Sequence, residues 1–290
     1  LNKKFELSLA SLLVLLLMVL TACSGTTNNA DENVPLAKDQ DNKVVNIGVT
    51  YAPSNINPLA PVGLVSTYVA NLLFLPLVDL DSDLNFQPML ADAITTEDNQ
   101  TFEIKLNEAA VWSDGTPITA DDVVFTFELM TNPVVASNYA YMFAIIEGLD
   151  DAGYMAEGST SIAGVNKVDD HTLTVKTKNP TTLTIFQDTV GRYLMTLPKS
   201  ELAALDPADI NKSEFMQYPT VTSGPFVLSG FNRDQYVEMI PNEKYFKGAP
   251  KLDQLNFKVL DSTAIAAQLK TGEIDMNIPS AGVIPVSDYE

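Results

Sequence analysis

A single cysteine, Cys23, stands among the 290 residues, so no disulfide can form within the chain. Histidine is as scarce: His171, the only one, falls in a turn beside Asp169 and Asp170 and is expected to be solvated. One histidine gives no metal set built on imidazole, and nickel is disfavoured in particular. Lys and Arg total 17 against 37 Asp and Glu, a formal net charge of −20. A chain so poor in cations has no basic patch to grip phosphates, which argues against nucleic acid as a partner. No serine lies in a G-x-S-x-G frame. The acidic pairs Asp121/Asp122, Asp150/Asp151 and Asp169/Asp170 are adjacent in sequence, which suits caps and turns. No catalytic residue, metal or cofactor is therefore expected. A G-x-x-x-x-G-K-(S/T) loop is missing too, so any ATP hydrolysis would belong to another subunit.

What the chain does have is an apolar fraction of 46% and length enough for one large or two modest cores. Its first residues read as a targeting segment. Lys3 and Lys4 precede an almost unbroken apolar stretch, Leu7 to Leu20, short for a membrane span but suited to a signal peptide over residues 1–22. Leu20-Thr21-Ala22-Cys23 resembles a bacterial lipobox, and the resemblance implies cleavage before Cys23 and lipid attachment to it. Residues 23–43, polar beyond the cysteine, read as a flexible tether.

Beyond residue 43 the patterning is that of a mixed α/β domain. Val44 to Tyr51 is rich in β-branched residues and reads as a buried strand. It breaks at Ala52–Pro58, a loop that is either a site wall or an ordinary connection. Ser66 to Leu77 reads as helix, and Thr101 to Leu106 alternates as a half-buried strand. Asp81-Ser82-Asp83-Leu84-Asn85 spaces oxygens as a calcium loop does. Phe86 stands where that loop needs Gly, so a hairpin turn is expected. Trp112 to Met130 combines an Asp114-Gly115 turn with a helix start at Thr119, where Asp122 completes a capping-box spacing. A hairpin is expected around Asp169-Asp170-His171 and a short helix over Ser200 to Asp209; residues 182–197 show no clear period. Phe226 to Ile240 reads as a second hairpin, Leu252 to Leu260 as a strand, and Ser262 to Lys270 as a helix closed by Gly272.

Several of these stretches resemble, in order, the blocks of the family 5 extracytoplasmic solute-binding proteins of ABC importers. W-S-D-G-T-P-I-T-A-D-D-V (Trp112–Val123) is one, and Pro88-Met89-Leu90-Ala91 is similar to the family's P-x-L-A. Thr222-Ser223-Gly224-Pro225-Phe226 resembles G-T-G-P-Y, Asn242-x-x-Tyr245-Phe246 resembles N-x-x-Y-(W/F), and Thr271–Asp275 resembles S-G-E-I-D. Asn132 to Ala140 is similar to the run N-P-x-x-A-S-x-Y-A of the oligopeptide branch. Departures are Asn107 in place of a basic residue, Ser223 for Thr and Phe226 for Tyr.

The resemblance implies a periplasmic-binding-protein-like α/β fold (type II, cluster C): a first lobe with an inserted small subdomain, and no second lobe. Residues 44–58 plus 165–278 would form the main mixed-sheet domain, 59–164 the inserted subdomain, and 279–290 the start of the crossover to the missing lobe. The chain would then be a fragment of a longer protein or a natural truncation. It further implies a peptide ligand, ABC permease and ATPase subunits as partners, and a lipid-anchored place on the extracytoplasmic face, periplasmic or at the cell surface. Sensing of peptide signals, a non-transporting truncated paralogue, and another solute such as a sugar are the alternatives. The candidate ligand contacts it implies are Tyr51, Ser54, Asn55, Tyr139, Tyr141, Thr222, Ser223 and Gly224. Tyr139 and Tyr141 either offer rings and hydroxyls to a ligand or pack locally.

Overall fold

The β-branched run Val44–Val49 forms strand β1, paired along both of its edges. The structure is a computed structural model that describes residues 43–278 and residue 281. The expected signal peptide, Cys23, all of the tether but Lys43, and all of 279–290 but Ala281 lie outside the described residues.

Strand β1 lies between two parallel neighbours, β10 (Gln254–Val259) and β11 (Met276–Asn277). Antiparallel β9 (Tyr236–Pro241) and β8 (Phe226–Asn232) extend the sheet, giving the order β11-β1-β10-β9-β8. Side chains secure the long-range pairing. Asn46 N–H donates to Asp275 Oδ2 at 2.9 Å, and Lys43 N–H donates to Asp253 Oδ2 at 2.7 Å. The helix linking β10 to β11 spans Ser262–Thr271. Asp261 caps it by accepting from Ala264 N–H at 2.8 Å, and it ends at Gly272 with φ 75°, as the sequence indicated.

A second, four-stranded antiparallel sheet has the order β4-β5-β7-β6, from Ala91–Thr95, Thr101–Leu106, Thr172–Lys176 and Val165–Lys167. In β5, Phe102, Ile104 and Leu106 are buried while Glu103 and Lys105 face out, the expected alternation. This pairing runs across residue 165, where a domain boundary was expected. Strands β6 and β7 pair with each other and β7 with β5, so residues through 176 belong to the four-stranded sheet. Period-2 patterning shows that a strand exists but not which sheet it joins. The 169–171 turn is the expected hairpin tip, yet His171 is half-buried there. Its Nδ1 is shielded and has no partner among the described residues.

The short pair β2 (Val78–Leu80) and β3 (Phe86–Pro88) closes on the Asp81–Asn85 turn. Asp81 accepts from the N–H of Asp83 and of Asn85, both at 2.9 Å, so its carboxylate shapes the hairpin. The first helices are α1 (Leu64–Leu73) and α2 (Ala120–Met130). After them come α3 (Leu183–Phe186), a π turn (Gln187–Gly191), α4 (Lys199–Leu202), α5 (Glu214–Gln217) and the 262–271 helix, α6. The expected helix over 200–209 is reduced to the one turn of α4. Pro207 disfavours helical backbone at Asp206, and turns follow instead.

Helix α2 starts as the capping spacing requires. Thr119 N–H donates to Asp122 Oδ2 at 3.0 Å, and Asp121 and Asp122 sit at the positive end of the helix dipole. The other carboxylate oxygen of Asp122 accepts from Lys199 N–H at 3.0 Å, so one buried side chain caps both α2 and α4. Next to it, Thr126 Oγ1 accepts from Leu197 N–H at 2.9 Å. Asp122→Ala would take the acceptor from two part-buried N–H groups, and a loss of about 1–2 kcal/mol in unfolding free energy is expected in urea denaturation. Asp122→Asn, which keeps one acceptor oxygen, is expected to lose less.

Candidate ligand-binding site

Strand β1 ends at the loop that carries three of the candidate residues. Tyr51 is 39% exposed and lies beside Gly63 at the start of α1. Ser54 and Asn55 work within the loop. Ser54 Oγ donates to Val62 O at 3.1 Å, and Asn55 Nδ2 donates to Ala60 O at 3.0 Å. The loop is also bolted to the Asn132–Tyr141 run. Ser137 Oγ donates to Leu59 O at 2.7 Å, and Asn138 N–H donates to the same oxygen at 3.1 Å. Asn211 bridges the two segments, accepting from Asn57 Nδ2 and donating to Val135 O, each at 2.7 Å.

With Ser137 and Asn138 committed to this loop, Tyr139 and Tyr141 are presented to the outer face of α1. They line a cavity of about 300 Å³ with Thr67 and Asn71 of α1, Asp79 of β2, and Arg192 and Tyr193 just past the π turn; Pro76, Met89 and Met195 complete the wall. Tyr139 packs locally, its ring centre 5.1 Å from that of Tyr193, and it also lines the cavity. Burial raises the Tyr139 hydroxyl above the usual tyrosine pKa, against a smaller opposing effect of its hydrogen bond with Thr67. It therefore stays a neutral phenol that can donate or accept. Tyr141 is 58% exposed at the rim. The cavity joins Tyr139 and Tyr141 but not Tyr51, Ser54 or Asn55.

Thr222, Ser223 and Gly224, the other three candidates, do not line this cavity. All three are buried and bonded within the protein. Ser223 and Gly224 donate their N–H groups to Leu73 O at 3.1 and 2.8 Å, and Ser223 Oγ accepts from Leu75 N–H at 2.9 Å. Thr222 N–H donates to Ser113 Oγ at 3.1 Å, and Thr222 O accepts from Ser113 N–H at 2.8 Å. A Cβ on Gly224 would lie 2.3 Å from Leu72 O, so the close approach of the chains demands glycine. The block is a joint, and its polar groups are already used.

Arg192, Tyr193, Asp79, Thr67 and Asn71 were not singled out from the sequence. One signal was available: Arg192 is one of only two arginines in the chain. The local pattern hid it, because the π turn over Gln187–Gly191 breaks the 3.6-residue period. Among the described residues no cluster of three or more His, Cys, Asp or Glu could hold a metal, and no helix is long and apolar enough to cross a membrane.

A family model described as bacterial extracellular solute-binding proteins, family 5 Middle, matches residues 85–288. The oligopeptide-binding protein AppA of Bacillus subtilis is 28% identical over 283 residues, which cover 96% of this chain and 49% of that protein. A putative ABC transporter peptide-binding protein of Brucella ovis is 34% identical over 223 residues, 76% of this chain and 38% of that one. The solved structure of the Bacillus subtilis AppA complex with a nonapeptide superposes with a TM-score of 0.69 at 27% identity, covering 85% of this chain and 45% of that one. Haemophilus influenzae OppA in complex with RPPGFSPFR gives 0.69 at 26%, with 82% and 46% covered. The chain spans about half the length of these relatives, and its α/β fold is the periplasmic-binding type expected from the sequence.

The joint and the cavity rim should separate under mutation. Ser223→Ala removes the acceptor of a buried N–H and is expected to lower unfolding free energy by roughly 1–3 kcal/mol. Tyr141→Ala, at an exposed rim position, is expected to stay within about 0.5 kcal/mol of the parent in the same urea titration.

Proposed function

The chain belongs to the bacterial extracellular solute-binding proteins of family 5, and from that premise we propose that it forms the first lobe of a receptor that captures extracellular peptides and delivers them to an ABC permease. The observation that carries the reading is the cavity beneath Tyr139 and Tyr141. There the run similar to the oligopeptide branch meets α1 and the Arg192–Tyr193 segment. Tyrosine rings offer faces that accept many side chains, and the polar groups between them suit a peptide main chain. Recognition directed at the main chain tolerates varied sequence, which an importer of mixed peptides needs. The peptide names of the relatives support the same ligand class.

Delivery follows the physics of two-lobed receptors, in which closure on the ligand creates the surface the permease reads. The assigned role is binding and not catalysis, with ATP hydrolysis left to the transporter's own subunits. The lipobox-like Leu20–Cys23 supports a lipid anchor at Cys23 on the extracytoplasmic face.

Two experiments test this. Calorimetric titration of the protein with a mixed pool of short peptides should show saturable binding. Tyr139→Ala should weaken it by about tenfold, roughly the worth of an aromatic contact plus a hydrogen bond, while the variant remains folded. Absence of binding, or equal affinity in the variant, counts against the reading. Cys23→Ser should shift the protein from the membrane fraction to the soluble extracytoplasmic fraction; continued membrane association would remove the anchor.

A further inference from the structure

Arg192 is held in an unusual electrostatic setting for a residue on a cavity wall. Its Nη1 donates to Asp188 Oδ1 at 2.9 Å, one helical turn earlier. Its Nε lies 3.7 Å from Asp79 Oδ1, too far for a hydrogen bond, and is buried with no acceptor among the described residues. The guanidinium carbon lies 6.0 Å from the centre of the Tyr193 ring. The backbone beneath is fixed. Leu77 N–H donates to Gly191 O at 3.0 Å, and a Cβ at Gly191 would lie 2.6 Å from Val78 Cγ2, so the π turn sits flat on β2 and aims the next two residues at the cavity.

Two carboxylates therefore face one guanidinium, and the local sum is negative in a chain whose net charge is −20. Such an arginine has no surplus charge with which to draw in an anion. It keeps its N–H donors, most of which make no hydrogen bond within the described residues. A donor on a cation is a strong partner for an uncharged carbonyl, and the two aspartates hold the fork in place beforehand. A carboxylate at the same position would meet Asp79 on the same wall.

We propose that Arg192 is the main-chain-binding donor of this cavity, reading an uncharged carbonyl of the bound peptide and not its carboxylate, with Asp79 and Asp188 as positioning residues that cancel its charge. The inference rests on the peptide-receptor reading and deepens it. A carbonyl recurs at every residue of a peptide, so this contact grips the ligand without choosing its sequence or reading its terminus.

The test uses one pentapeptide of alternating alanine and phenylalanine in two forms, with a free C-terminal carboxylate and with a C-terminal amide. Both are titrated into the parent protein, Arg192→Met, Asp188→Asn and Tyr139→Ala, with thermal midpoints recorded to confirm folding. Arg192→Met is expected to weaken both forms by a similar factor, about tenfold. Asp188→Asn, which returns net charge to the guanidinium, is expected to shift the affinity ratio toward the free acid, a change that a purely structural role would not produce. A loss in Arg192→Met confined to the free acid overturns the proposal. So does unchanged affinity for both forms in Arg192→Met while Tyr139→Ala still weakens binding, a result that leaves the peptide-receptor reading in place. No binding of either form by the parent protein overturns both.

Discussion

The structure depends on one buried joint, where four distant stretches meet through their main chains. The end of α1 presents Leu73 O to the N–H groups of Ser223 and Gly224, and Leu75 N–H is taken by Ser223 Oγ. Thr222 exchanges two hydrogen bonds with Ser113 of the Trp112 turn, and Asn242 Nδ2 donates to Gly224 O at 2.9 Å. These groups are shielded from water, so each unmade bond would carry its full desolvation cost, about 1–3 kcal/mol. A segment this irregular can be buried only because its polar atoms have partners assigned in advance. The first strand of the mixed sheet's hairpin, β8, leaves directly from it, and α1 reaches from it to the cavity.

That dependence explains why motif residues turn out to be fasteners. Lys244 Nζ donates to Asp114 O at 3.0 Å, tying the N-x-x-Y-F block to the W-S-D-G turn. Asp275 of the T-G-E-I-D block grips β1 through Asn46. Asp122 caps two helices with one carboxylate. Even a departure from the family's pattern is used. Asn107 stands where a basic residue is usual, and its Nδ2 donates to Asp92 Oδ1 at 2.7 Å, so the contact with that acid is made by an amide. Short polar side chains recur at such points because they can reach a nearby backbone group without filling the core.

Features whose cause is local were legible in the sequence. The Thr119 cap, the Asp81 turn, the alternation of β5, the β8–β9 hairpin and the end of α6 at Gly272 each follow from a few adjacent residues, and each is found. Features set by partners far along the chain were not. The strands at 165–176 looked like strands, but nothing in their period says that β7 pairs with β5 and not with β1. Nor does anything local show that Thr222, Ser223 and Gly224 are buried, because a buried joint and an exposed loop draw on the same small polar residues. Of the cavity's lining, Tyr139 lies in the Asn132–Ala140 run and Tyr141 directly follows it. The Arg192 wall was not legible, since a π turn carries no simple sequence period.

The shape of the exposed surface bears on how a ligand would be held. Helix α1 turns Leu64, Thr67, Tyr68 and Asn71 outward at helical spacing, and Tyr51, Val62 and Tyr141 lie near its first turns or at the cavity rim. Leu64 at 43% and Val62 at 58% exposure add apolar surface at the start of α1. A cavity of about 300 Å³ is at the small end for ligand sites. It has room for a side chain or two, so most of a longer peptide must lie along the α1 face. There, one wall buries only one side of the ligand, and the cost of ordering a flexible peptide weighs heavily against a one-sided contact. A second surface closing over α1 would bury the ligand's other side and so add to the affinity that this wall supplies alone.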